Sequence, residues 1–106
     1  MTEPVVVVTG GALRIGATIC ETLHGRGYRV VIHCLNSLSA ANNLARKLNI
    51  IREHSACVLS ANLNNSGHIE QLAADATAQW GRVDALVNSA SRFYPTPVSQ
   101  HGSRTI

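Results

Sequence analysis

The chain has 106 residues, enough for one small domain with a thin stability margin. Its composition, 45% hydrophobic and 14% charged, is globular and excludes a disordered segment. The net charge is +3, but the nine basic residues are scattered, only Arg46 and Lys47 adjoin, and no basic block interleaves with aromatics. A nucleic-acid surface is not indicated, whereas an anionic small ligand suits the balance.

Cys20, Cys34 and Cys57 are odd in number, with no C-x-x-C and no zinc spacing. They read as three small buried thiols in a reducing compartment, and no metal site is expected. "MTEPVVVVTG" lacks a basic region and its apolar run is short for a signal peptide. No stretch reaches the roughly 18 apolar residues of a membrane span. The expectation is a soluble, cytoplasmic protein.

In chain order, Val5–Val8 is an unbroken apolar run, the pattern of a parallel strand buried on both faces. Ile15, Ile19 and Leu23 recur every four residues and predict the buried stripe of a helix that Gly25 and Gly27 end. Tyr28–Cys34 reads as a second strand. Ser37 or Ser39 caps a second helix with core face Ala41, Leu44, Ala45 and Leu48. Ser55–Ser60 is a third strand. Ser66 starts a third helix with Ile69, Leu72, Ala73, Ala76 and Trp80 on one face and Gly81 as its stop. Val83–Ala90 is a fourth strand.

The alternation β-α-β-α-β-α-β predicts an α/β, Rossmann-like parallel sheet with right-handed crossovers. Strand order 3-2-1-4 would set the ends of strands one and four at a switch-point crevice. After Phe93 the sequence "YPTPVSQHGSRTI" has two prolines and no periodicity. Residues 1–94 therefore read as a partial nucleotide-binding domain, and 95–106 as a loop or aberrant C-terminal tail.

The stretch "TGGALRIG", residues 9–16, joins the first strand to the first helix. Such a turn aims backbone N–H groups and a helix N-terminus at a phosphate. Gly10 would permit the tight turn and Gly16 close helix–strand packing. A purely structural β-to-α turn is the bland reading, but the strand before and the amphipathic helix after favour the functional one. No G-x-x-x-x-G-K-[ST] is present, which excludes a P-loop. Arg14 stands where a dinucleotide fold usually has its second glycine. It is either a solvated charge or a cation reaching over a pyrophosphate or a substrate on it. A cation at a helix amino end opposes the helix dipole by roughly 0.3–1 kcal/mol, a penalty that a bound anion removes.

NAD-binding folds place a carboxylate after the second strand to hold the ribose 2′-OH. Here that end reads "HCLNS", His33–Ser37, with no Asp or Glu. Asn36 and Ser37 can donate to a 2′-phosphate and nothing repels it, which favours NADP(H). The same residues also serve as an ordinary polar helix cap.

Together "TGGALRIG", "GYRVVIH", "NS", "GRVDALVN" and "FYPTP" resemble the N-terminal part of the short-chain dehydrogenase/reductases. More narrowly they resemble the pteridine reductases, in which arginine replaces that glycine. The resemblance implies an NADPH-dependent reductase of biopterin- and folate-type pterins. Gly10, Arg14, Ile15 and Gly16 would then line the pyrophosphate, and His33, Asn36 and Ser37 would lie around the 2′-phosphate. Asn62 and Leu63 would sit by the adenine, and Asn88, Ser89, Ala90 and Ser91 would pass beneath ribose and nicotinamide. Phe93 would stack on the pterin, with Ser91 and Arg14 adding polar contacts. Complete relatives are expected to be homotetramers.

Four positions depart from that pattern. Leu35 stands near a usual His or Arg, Asn62 for an Asp, Ser89 for the second Asn of N-N-A, and Arg92 for a small residue. The family's catalytic Tyr-x3-Lys pair is also missing. Tyr28 and Tyr94 are followed four residues on by Ile32 and Val98, and the one lysine, Lys47, has no tyrosine four before it. The chain is thus expected to be a truncated reductase, inactive alone and with no catalytic residue of its own. The other readings are a non-catalytic NADP-binding or interaction module and a degenerate gene product.

Overall fold

The computed structural model describes residues 3–62 and 66–89, Ser66 by its backbone alone. The elements run β1 (Val5–Thr9), α1 (Arg14–Gly25), β2 (Arg29–Cys34), α2 (Leu38–Ile51), β3 (Ala56–Ser60), α3 (Ser66–Trp80) and β4 (Ala85–Asn88). The four strands form one parallel sheet in the order β3-β2-β1-β4. This is the predicted α/β, Rossmann-like arrangement. Leu63, Ala90, Ser91, Phe93 and the 95–106 segment lie outside the described residues.

The valine run becomes the central strand because it has to be apolar on both faces. Val6 and Val8 face a core with Cys20, Leu23, Leu44, Ala45 and Leu48. Val5 and Val7 face the other side, with Leu72 and Ala76. In α2 the predicted face Ala41, Leu44, Ala45 and Leu48 is the buried one.

Three expectations are corrected. In α1 the buried residues are Gly16, Cys20, Leu23 and His24, and Ile15 is 73% exposed. Leu23 is buried as predicted and Ile19 is partly buried against the core, but the helix approaches β1 through Gly16 and Cys20, which turns Ile15 to solvent. In α3, Leu72 and Ala76 are buried while Ala73 is exposed. Cys57, on the edge strand β3, is half-buried, whereas Cys20 and Cys34 are buried.

The amino ends of the strands are tied by polar groups. Glu3 takes the guanidinium groups of Arg29 and Arg52, and Arg29 lies 5.5 Å over the Trp80 ring. Arg52 also donates to the His24 and Tyr28 carbonyls. The Ser55 hydroxyl donates to the Arg52 carbonyl, so His24 Nε2–H donates to Ser55 Oγ at 2.6 Å. Asp84 accepts the Val5 N–H and pairs with Arg82.

His24 and His33 are both buried. Burial, then the Arg52 charge, holds His24 below its ordinary 6.5, against the opposing pull of Glu3. Burial holds His33 down as well, against the Ala61 carbonyl. Each ring therefore binds a proton more readily in the unfolded chain. Their contribution is full above about pH 6.5 and is lost as pH falls through the lower folded values. The denaturation midpoint is expected to decline between pH 6.5 and 5, and His24→Gln to flatten part of that slope. A midpoint constant over this interval would contradict it.

Candidate functional site

The carboxyl ends of the parallel strands converge on the 9–16 turn. Gly10 has φ 63°, a conformation that side chains rarely adopt. A Cβ on Gly16 would stand 2.2 Å from the Gly10 carbonyl oxygen, so α1 starts against the turn backbone itself. A Cβ on Gly11 would meet the Val8 oxygen at 2.9 Å and Cys20 Sγ at 3.0 Å. The three glycines set how closely helix and strand approach.

The amino end of α1 is open. Leu13 occupies the cap position without a side-chain cap bond, and the first turn carries no acidic residue. The Ala17 N–H bonds back to the Leu13 carbonyl at 3.4 Å. The amides of Arg14, Ile15 and Gly16, ahead of it, have no carbonyl one turn earlier to donate to. Arg14 and Ile15 are exposed. Arg14 has φ 55°, in the left-handed region that favours glycine. The usual glycine at this place thus has a backbone reason, and arginine holds the same conformation under strain.

His33 lies at the carboxyl end of β2, 4% exposed. Its Nδ1 accepts the Gly10 N–H at 3.0 Å, and its carbonyl accepts the Gly11 N–H at 3.0 Å. Its Nε2 is 2.8 Å from the Ala61 carbonyl. Sequence reasoning placed His33 among the ligand contacts and missed that both ring nitrogens are engaged inside the protein. Leu35 and Asn36 are exposed and Ser37 is partly so, as the cap of α2 without a side-chain cap bond. Asn62 is exposed just beyond β3.

At the end of β4 the Thr9 hydroxyl donates to Asn88 Oδ1 at 2.9 Å. Ser89 binds the Thr9 carbonyl through both its N–H and its hydroxyl. Asn88 is thereby held through its side-chain carbonyl oxygen. Of the candidate residues, Gly10, Arg14, Ile15, Gly16, His33, Asn36, Ser37, Asn62, Asn88 and Ser89 are described, and they lie at or just beyond the carboxyl ends of the strands. An open hollow of about 660 Å3 beside Arg46, Asn49, Cys57 and Trp80 lies at the other end of β3. Among the described residues no group of His, Cys, Asp or Glu is placed to hold a metal ion. No described helix is long and apolar enough to cross a membrane.

A nucleotide-type turn at the head of a 3-2-1-4 parallel sheet defines the class. The short chain dehydrogenase profile matches residues 4–105, and the chain belongs to that family. It is 39% identical to pteridine reductase 1 of Leishmania tarentolae, over 92% of this chain and 39% of that protein. It is 32% identical to a ketoacyl reductase of the granaticin polyketide synthase from Streptomyces violaceoruber, over 89% of this chain and 36% of that one. It is 30% identical to a 3-oxoacyl-[acyl-carrier-protein] reductase of Synechocystis, over 85% and 36%. The chain thus spans well under half the length of these relatives.

Proposed function

We propose that this chain forms the NADPH-binding part of a reductase acting on biopterin- or folate-type pterins. The observation that carries the reading is the pairing of an uncapped helix amino end, headed by Arg14, with a β2 end that offers Asn36 and Ser37 and no carboxylate. Both features suit phosphate, and the second suits a 2′-phosphate where an acidic side chain would repel it.

In this reading the open amides at the start of α1 and the Arg14 guanidinium hold the pyrophosphate. Gly10 and Gly16 let it approach the backbone. Asn36 and Ser37 donate to the 2′-phosphate. Asn62 and Leu63 border the adenine, and Asn62 offers a carbonyl oxygen to its amino group. Asn88, held by Thr9, with Ser89, Ala90 and Ser91, borders the ribose and nicotinamide. Phe93, Ser91 and Arg14 face the pterin. NADPH, when bound, supplies the hydride. The Tyr-x3-Lys pair is not in this sequence, so proton delivery is not assigned to any residue of this chain. The pterin class rests on the similarity to a pteridine reductase, and the likeness to ketoacyl reductases makes a carbonyl substrate the competing outcome.

The test is a direct titration of the protein with NADPH and NADH, repeated with 2′,5′-ADP and 5′-ADP. Charge-assisted contacts to the 2′-phosphate are worth about 1.5–3 kcal/mol, so the phosphorylated ligand of each pair is expected to bind at least roughly tenfold more tightly. Equal affinities would reject the NADPH assignment. Turnover is not expected of the chain alone, because the Tyr-x3-Lys pair is not in this sequence, so the comparison of affinities decides.

A further inference from the structure

His33 joins three segments that come together only in the fold. Its carbonyl and its Nδ1 take the amides of Gly11 and Gly10, the first two of the phosphate turn. Its Nε2 meets the Ala61 carbonyl, one residue before Asn62. Both ring partners are backbone groups, so their roles leave no freedom. An N–H only donates and a carbonyl only accepts, so Nδ1 must be the acceptor and Nε2 must carry the proton. The ring fits this place in one tautomer and one charge state.

We infer that His33 is a positioning residue for the nucleotide site: its neutral imidazole clamps the phosphate turn to the end of β3. It fixes the distance between the turn that would hold the pyrophosphate and the Ala61–Asn62 segment that would border the adenine. The inference rests on the NADPH reading of the turn. A protonated ring would set an Nδ1–H against the Gly10 N–H, donor against donor, and push the turn off β2. Ionisable groups on the segments packed around this end of the sheet are Arg14, Cys20, Glu21 and His24 on α1, Arg29 and Cys34 on β2, Arg46 and Lys47 on α2, Cys57 on β3, and His68, Glu70 and Asp75 on α3, the helix that packs on the face His33 shares with Val31. The influences on the ring are burial, which lowers its proton affinity, and the Ala61 carbonyl, which raises it. Cofactor affinity should therefore weaken in acid for a reason that lies in the protein rather than in the ligand.

The experiment compares NADPH affinity of the protein with that of His33→Gln and His33→Phe between pH 5 and 8. Gln keeps one acceptor and one donor and does not titrate. His33→Phe is expected to weaken binding roughly tenfold or more at pH 7.5, as a misplaced turn does. His33→Gln should recover most of that loss. The ratio of wild-type to Gln affinity should fall with acidity, and the titration of the ligand's own phosphate cancels in that ratio. A constant ratio, or Phe binding as tightly as His, overturns the inference. Because the Phe variant can fail to fold, a second readout uses the unmodified protein. Ring 15N shifts of His33 should show the Nε2–H tautomer and a midpoint below 6.5, with the Gly10 amide shift following the same curve. An Nδ1–H tautomer or an ordinary midpoint overturns the clamp. If the unmodified protein binds no NADPH at any pH, the NADPH reading fails, and the ring shifts alone decide whether the clamp exists.

Discussion

Gly16→Ala is expected to abolish measurable NADPH binding and to destabilise the fold by about 1–3 kcal/mol or more. The added methyl would sit 2.2 Å from the Gly10 carbonyl oxygen and 2.9 Å from both the Gly10 carbonyl carbon and the Gly11 Cα. All three are backbone atoms, so no side chain can swing aside. Either α1 retreats along its length or the turn opens, and either movement separates the first-turn amides from Gly10. A displacement of 1 Å at a positioned site is worth on the order of a hundredfold in function. Gly25→Ala is the internal contrast. That glycine also lies in α1, with nothing within 4 Å of its Cβ position, so alanine there should be neutral or add up to about 1 kcal/mol. A denaturant midpoint and an NADPH titration on the two variants check both statements. Retained affinity in Gly16→Ala would show that the close approach of helix and turn is not what holds the nucleotide.

Most of the architecture is legible in the sequence because each layer carries its own periodicity. Val5–Val8 can only be a strand buried on both faces, and Ala41, Leu44, Ala45 and Leu48 repeat as a helix face does. The reading of α1 holds at Leu23 and fails at Ile15 for a related reason. Residues that bring a helix close to a strand are small, and Gly16 and Cys20 give a weaker apolar signal than Ile15 and Ile19. Ala73 misleads in the opposite sense, since alanine suits an exposed helix surface as well as a core. The turn reads in the sequence as a candidate phosphate site because its glycines sit between a strand and a helix. The contacts of His33 are not legible. Its ring partners, Gly10 and Ala61, lie 23 and 28 residues away, and within "RVVIHC" it is only a polar letter in a buried strand. The backbone angle of Arg14 is equally hidden. The one hint is that glycine is usual there, and the left-handed φ supplies the physical reason.

That angle leads to the second large effect, a divergence of stability and binding at one residue. At φ 55° a side chain bearing a Cβ costs on the order of 1 kcal/mol relative to glycine. Arg14→Gly should therefore stabilise the ligand-free protein by up to about 1 kcal/mol. The same change removes a guanidinium placed at the open end of α1, and a charge-assisted contact to phosphate is worth about 1.5–3 kcal/mol. NADPH affinity should fall roughly 10- to 150-fold. Arg14→Ala separates the two causes. It removes the same charge but keeps a Cβ at positive φ, so it should lose affinity as Gly does without the gain in stability. The wild-type advantage should also shrink in high salt, since the contact lies at an exposed site. The decisive set is three proteins, each measured for ligand-free denaturation and for NADPH affinity. If Arg14→Gly is more stable and both variants bind weakly, the strain is retained for the sake of the cation. If both bind as well as arginine does, Arg14 is a solvated charge, and the phosphate is held by the backbone of the turn alone.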